Sequence, residues 1–225
     1  MPTHSEHPIY NRSYYQTTNY HNYDSATYRA YHVARYLWLG QIFKLAFRVN
    51  SILDVGCATG MSVWVFRYLL GLDAYGVDVS QYAIANGVKS IRPYLACVDL
   101  TSDALALPRK QFDLVVSYDT FEHLQVDALP DVLIKVFALT DKAVLGIYVL
   151  DEPIALWHNL INKSHSDHIS EHSSAWWIER LSELGYVATH LPFSRQGTLL
   201  VRPRRKSFEP PTPASTGWSS EPSVY

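Results

Sequence analysis

From Ser51 to Pro203 the chain alternates short apolar, β-branched runs with stretches whose apolar residues recur every three to four positions. The runs predict strands buried on both faces, and the stretches between them predict covering helices. Strands are expected at "SILDV" (51–55), "AYGVDV" (74–79), "YLACVDL" (94–100), "FDLVVSY" (112–118), "KAVLGIYV" (142–149), "VATHLPF" (187–193) and "TLLVRP" (198–203). Helices are expected over 61–70, over 80–89 with Ser80 as N-cap, over 124–139, and over 174–184, capped by Ser173 or Ser174 and stopped by Gly185. This order predicts a doubly wound α/β sheet of seven strands, with helices on both faces and the last strand antiparallel.

Before the sheet lies a tyrosine-rich segment. Its later half, "ATYRAYHVARYLWLGQIFKLAF" from Ala26, has helical spacing, so 1–48 is expected to form an aromatic helical cap on a main domain at 49–203. After Pro203 the chain is rich in Pro and Ser without apolar periodicity, and 204–225 is expected to be a disordered tail. The basic run Arg202, Arg204, Arg205 and Lys206 fits a solvated strand end better than a binding patch.

Composition narrows the function. A hydrophobic fraction of 48% in 225 residues supports one globular domain with a real core. A formal net charge of −2 leaves no footprint for a polyanionic backbone, so nucleic acid is not expected as a partner. Neither a membrane span nor a signal peptide is apparent, and with only two cysteines, Cys57 and Cys97, the expected compartment is the cytoplasm. The oligomeric state is not legible.

The chemistry is carried first by "DVGCATGM". A dinucleotide turn needs glycine at its first, third and sixth positions, and counting from Gly56 puts Met61 sixth, which excludes it. Gly56, Ala58 and Gly60 instead give G-x-A-x-G, preceded by Asp54. The alanine is expected to be tolerated, on the assumption that the turn has no need of positive φ there. Further acids follow at predicted strand ends: Asp78, Asp99 and Asp119. Four carboxylates at successive C-terminal edges mark the side where doubly wound sheets bind ligands.

These residues resemble the class I S-adenosylmethionine-dependent methyltransferases, small-molecule type (methyltransferase 11/12-like), whose first motif typically reads D-x-G-x-G-x-G. The resemblance covers roughly 10–203, including "DHISEHSSAWWIERLSELGY". It implies S-adenosyl-L-methionine as cofactor and methyl transfer to O or N of a small-molecule acceptor. It also implies a cofactor pocket built from Asp54, Gly56, Cys57, Ala58 and Gly60, with Asp78 on the ribose hydroxyls, Asp99 on the adenine amino group, Val79 and Leu100 on the ring, and Tyr118 beside them. Asp103 is the alternative to Asp99. From the cap, Tyr15 and Arg29 are candidates for the cofactor carboxylate. Cys57 fits a small loop residue, since nothing near it marks an activating base.

Catalytic candidates cluster in "YDTFEHL". Asp119, Glu122 and His123 have i, i+3 and i+4 spacing and are expected to share one side of a helix's first turn. They can complement the helix dipole or, as the resemblance implies for a Glu-His pair at this place, line the cofactor pocket without doing chemistry; the sharper alternatives are His123 as a general base with Asp119 beside it, and a divalent cation held as in ubiquinone-biosynthesis O-methyltransferases. The metal is the least favoured of these. The histidine-rich segment 157–177 is expected to cover substrate, with Asp167 and His168 entering the pocket; His168 and His172 lack a third partner for zinc. One of Trp176 and Trp177 is expected on the sheet and the other towards substrate. A non-catalytic cofactor-binding module and, more remotely, a nicotinamide oxidoreductase are the alternatives.

Overall fold

The computed structural model describes residues 8–17, 26–101, 107, 111–151, 168–191 and 197–204. Seven strands form one sheet in the order β3-β2-β1-β4-β5-β7-β6. The chain divides into two compact units, 1–113 and 114–225.

The first unit contains β1 (Ser51–Val55), β2 (Asp73–Asp78) and β3 (Leu95–Cys97), paired in parallel as β1 with β2 and β2 with β3. All five residues of β1 are buried, the apolar Ile52, Leu53 and Val55 together with Ser51 and Asp54, as expected for a parallel strand covered on both faces. Two helices form the aromatic cap, α1 (Arg12–Thr17) and α2 (Ala26–Ala46). Gly40 of α2 has no side chain because Leu70 and Phe66 occupy the place where a Cβ would project. Phe43 is fully buried, while a ladder of rings, Tyr28, His32 and Tyr36, leads along the same helix to Phe66.

The helix expected at 61–70 forms in two parts. Residues Met61–Trp64 are α-helical (α3), and Val65–Leu69 widen into a π-helical turn in which the Leu70 N–H donates to the Val65 carbonyl. The next helix, α4 (Gln81–Asn86), starts as expected at Ser80, whose hydroxyl accepts from the Ala83 N–H. It stops three residues short of Lys89, at Gly87. Strand β3 is also shorter than expected, because Asp99 accepts from the N–H and hydroxyl of Thr101 and turns the chain.

The second unit contains β4 (Leu114–Tyr118) and β5 (Ala143–Gly146) in parallel, with β7 (Thr198–Pro203) antiparallel to both β5 and β6 (Tyr186–His190). Helix α5 (Leu129–Phe137) begins five residues later than expected, with Pro130 in its first turn, where a missing N–H costs nothing. Helix α6 (Ser174–Glu183) is capped by Ser173, which accepts from the Trp176 N–H, and Gly185 follows it in the left-handed region at φ 84°. No helix among the described residues is long and apolar enough to cross a membrane. The tail 205–225 lies outside the described residues.

Candidate functional site

In the first unit the loop after β1 is stapled to the end of β2. The N–H groups of Gly56 and Cys57 both donate to the Val77 carbonyl, at 2.8 and 3.0 Å, and Gly60 N–H donates to the Cys57 carbonyl at 2.8 Å. Asp78 takes two further amides: Oδ2 accepts from Ala58 N–H at 2.7 Å and Oδ1 from Ser80 N–H at 2.8 Å. Gly56 and Gly60 sit at φ 78° and 76°, where glycine is favoured. Ala58 lies at φ 50°, so the expectation that this position has no need of positive φ is corrected. The turn is left-handed at all three places, and only the middle one is occupied by a residue with a Cβ.

Two buried carboxylates face this loop. Asp54 accepts from the Ser62 hydroxyl, which ties β1 to α3. Burial pushes its carboxyl up to about 7; the Ser62 hydrogen bond opposes this, the Asp78 charge adds to it, and the Arg35 guanidinium pulls the other way. Burial also raises Asp78, against the Ser80 and Ala58 amides. The Cys57 thiol is driven up by burial and then by both acids, which keeps it a neutral, unreactive side chain. Its sulfur packs where a Cβ on Gly76 would come within 2.6 Å.

The cap closes over the same loop. Ser80 hydroxyl donates to the Tyr10 carbonyl at 2.6 Å, and Tyr15, 5% exposed, stacks on Tyr82 of α4 with centroids 6.0 Å apart. Burial and then the Asp78 charge raise the Tyr15 phenol, so it is a hydroxyl donor throughout the physiological range. Val79, Asp99 and Leu100 are half-buried beyond β2 and β3.

In the second unit, Asp119 follows β4 in a left-handed conformation at φ 53° and is exposed, its N–H donating to the Gly146 carbonyl at 2.8 Å. Residues Phe121–His123 form a 3-10 turn in place of the expected α-helix. Glu122 points inward and is fully buried, whereas His123 is half-buried. Burial, and then the Asp119 charge, push the Glu122 carboxyl up to about 8 against several backbone N–H groups. The three residues thus do not present one helical face. Among the described residues no cluster of three or more His, Cys, Asp or Glu is placed to hold a metal.

His168 packs against His123, centroids 4.7 Å apart at 75°, and against Tyr148 at 4.9 Å; its Nδ1 lies 3.7 Å from Glu171 Oε1. His172 does not join it. It stacks flat on Trp176 at 3.7 Å, and burial together with the Arg180 charge lowers its basicity. Trp177 is fully buried, and Trp176 is the half-exposed member of the pair. Tyr118 is buried with its ring against Gly146, where no Cβ would fit.

Residues 52–142 match the family described as methyltransferase domain. The fold matches the plantazolicin methyltransferase BpumL, solved with a pentazolic desmethylPZN analog and SAH, at TM-score 0.59 and 15% identity, covering 83% of this chain and 89% of that one. It also matches magnesium protoporphyrin IX methyltransferase (ChlM) from Synechocystis PCC 6803 with bound SAH, at TM-score 0.61 and 13% identity over 85% and 97% of the two chains. The chain has the fold of these methyltransferases. No curated protein matches it by sequence.

Within this fold the structure brings together most of the residues singled out in the first unit: Asp54, Gly56, Cys57, Ala58, Gly60, Asp78 and, from the cap, Tyr15. Arg29 is exposed on α2; the guanidinium that acts on Asp54 belongs to Arg35, six residues later on that helix. Sequence alone gave both arginines the same helix and no means to choose between them. Tyr148 was likewise missed, because it read as an ordinary strand residue. Asp103, Asp167, His158 and His165 lie outside the described residues.

Proposed function

We propose that the chain is an S-adenosylmethionine-dependent methyltransferase that passes a methyl group to oxygen or nitrogen of a small-molecule acceptor. The observation that carries this reading is the use made of the loop amides. A phosphate at the glycine turn needs free N–H groups aimed at it, whereas Gly56, Cys57, Ala58 and Gly60 all donate to oxygens of the protein itself. Two buried carboxylates, Asp54 and Asp78, stand beside them and favour a cationic, hydroxyl-bearing ligand over an anionic one.

S-Adenosylmethionine supplies an electrophilic methyl group on a sulfonium. The chain's own residues do the rest. Each Asp78 oxygen accepts one amide and keeps a second lone pair for a ribose hydroxyl. Asp54 offers negative charge next to an ammonium or sulfonium once its proton leaves. Tyr15 and Arg35 are the cap groups suited to the cofactor carboxylate, in preference to Arg29. Asp99, Val79, Leu100 and Tyr118 retain the assignments that the resemblance implies. On the acceptor side His123, with His168 beside it and Asp119 nearby, takes the proton that an O–H or N–H acceptor loses as it attacks. Such a displacement asks mainly for alignment.

Calorimetric titration with S-adenosylmethionine tests the cofactor, and absence of binding at millimolar ligand would sink this reading. A screen of labelled methyl transfer into a metabolite extract, followed by mass identification, names the acceptor. Binding without turnover on any acceptor would instead leave a non-catalytic cofactor-binding module.

A further inference from the structure

The second unit holds an acid that the proposed chemistry does not use. Glu122 is fully buried in the 3-10 turn Phe121–His123. Its carbonyl accepts from the N–H groups of Ile169 and Ser170, both at 2.9 Å, and its Oε1 accepts from the Tyr148 N–H at 2.8 Å. The Ser170 hydroxyl donates to the carbonyl of neighbouring Leu124. Three separate backbone segments therefore converge on one residue: the turn after β4, the exit of β5 and the segment 168–170. The rings they carry, those of His123, Tyr148 and His168, are the ones in contact.

Glu122 Oε2 is buried and has no hydrogen-bond partner among the described residues. An unsatisfied buried oxygen destabilises a fold. An apolar side chain would avoid that cost but could not hold the Tyr148 amide. Resting on the methyl-transfer reading above, we propose that Glu122 is the positioning residue of the acceptor side: its carboxyl anchors the Tyr148 amide, which sets the Tyr148 ring and the His168 imidazole against His123. The two imidazoles then meet the acceptor as a fixed pair. Glu122 itself touches neither acceptor nor cofactor.

The test compares Glu122→Gln, which keeps an Oε1 acceptor, with Glu122→Ala, which removes it. In Glu122→Ala the His168 imidazole proton signals, displaced in the wild type by the rings of His123 and Tyr148, move towards free-histidine positions, and kcat falls about tenfold or more. Cofactor affinity, read by calorimetry, stays within about twofold of wild type and certifies that the variant is folded. Glu122→Gln returns the His168 signals and restores kcat to within about threefold. Unmoved His168 signals in Glu122→Ala overturn the proposal, as does a Glu122→Gln variant as slow as Glu122→Ala, which would make the acid's proton the active feature. Should Glu122→Ala fail to fold, Glu122→Met, which fills the same space without an oxygen for the Tyr148 amide, takes its place in the comparison, with the same two readouts and the same overturning result. Absence of methyl transfer by the wild type would refute the functional reading, while the His168 signals would still decide the positioning role.

Discussion

The Ala58 N–H donates to Asp78 Oδ2 at 2.7 Å, joining the middle of the glycine loop to the last residue of β2. One carboxylate therefore shapes the loop, and in the proposed function it also holds the ribose. Asp78→Asn leaves an oxygen for only one of the two amides, and Asp78→Ala leaves none. Cofactor affinity is expected to fall about tenfold in the first and further in the second, consistent with about 1.5–3 kcal/mol for a charge-assisted hydrogen bond. Calorimetry checks this, and an unchanged affinity in Asp78→Ala would refute the ribose assignment.

Ala58 sits at φ 50°, a region that costs a residue with a Cβ about 1 kcal/mol. Ala58→Gly removes that strain and gives back part of the gain as unfolded-chain entropy. The melting temperature should rise by about 1–3 °C, with cofactor affinity unchanged or tighter. A fall in melting temperature would show that the loop holds alanine without strain.

Gly76 lies on β2 beneath the loop, where a Cβ would approach Cys57 Sγ to 2.6 Å and Val63 Cγ2 to 2.9 Å. Gly76→Ala should therefore destabilise by about 2 kcal/mol and weaken cofactor binding at the same time, because the displaced residue belongs to the loop. Chemical denaturation and calorimetry measure the two effects.

Asp54 carries a pH signature. Its carboxyl is held at about 7 in the fold against an ordinary 3.8, so the neutral form is the one the fold prefers. Its contribution to stability is full below about pH 4 and is lost as pH rises through about 7. Glu122, held at about 8, acts in the same direction over a range that extends further up. The ligand-free protein should lose melting temperature between pH 5 and 8, and Asp54→Asn should flatten part of that slope. A cationic ligand reverses the preference at Asp54, so cofactor binding should release a proton near pH 7. Calorimetry in buffers of different ionisation enthalpy reads this directly.

In the proposed reaction His123 removes the acceptor's proton. His123→Ala should lower kcat by about 10²-fold or more while cofactor affinity holds, the size expected for loss of a general base. An unchanged kcat would mean that the acceptor is already a nucleophile and needs only alignment.

Much of this protein was legible in its sequence because the signals were local. Short, mainly apolar and β-branched runs made β1 and β4 strands buried on both faces, β7 matched at 198–203, and Ser80, Ser173 and Gly185 bounded helices as side-chain chemistry requires. Met61 excluded the dinucleotide turn by counting alone. What sequence could not supply were relations set by distant packing. The turn at 121–123 is 3-10 because Glu122 is drawn inward to the Tyr148 amide, 26 positions away, so the spacing of Asp119, Glu122 and His123 never became a helical face. Ala58 adopts positive φ because its amide must reach Asp78, and the guanidinium acting on Asp54 is that of Arg35, not the exposed Arg29, because helix α2 is oriented by Gly40 and Phe43 against the segment after α3. Periodicity determines which residues are buried together; only the closed sheet decides which polar atoms then lie close enough to share a proton.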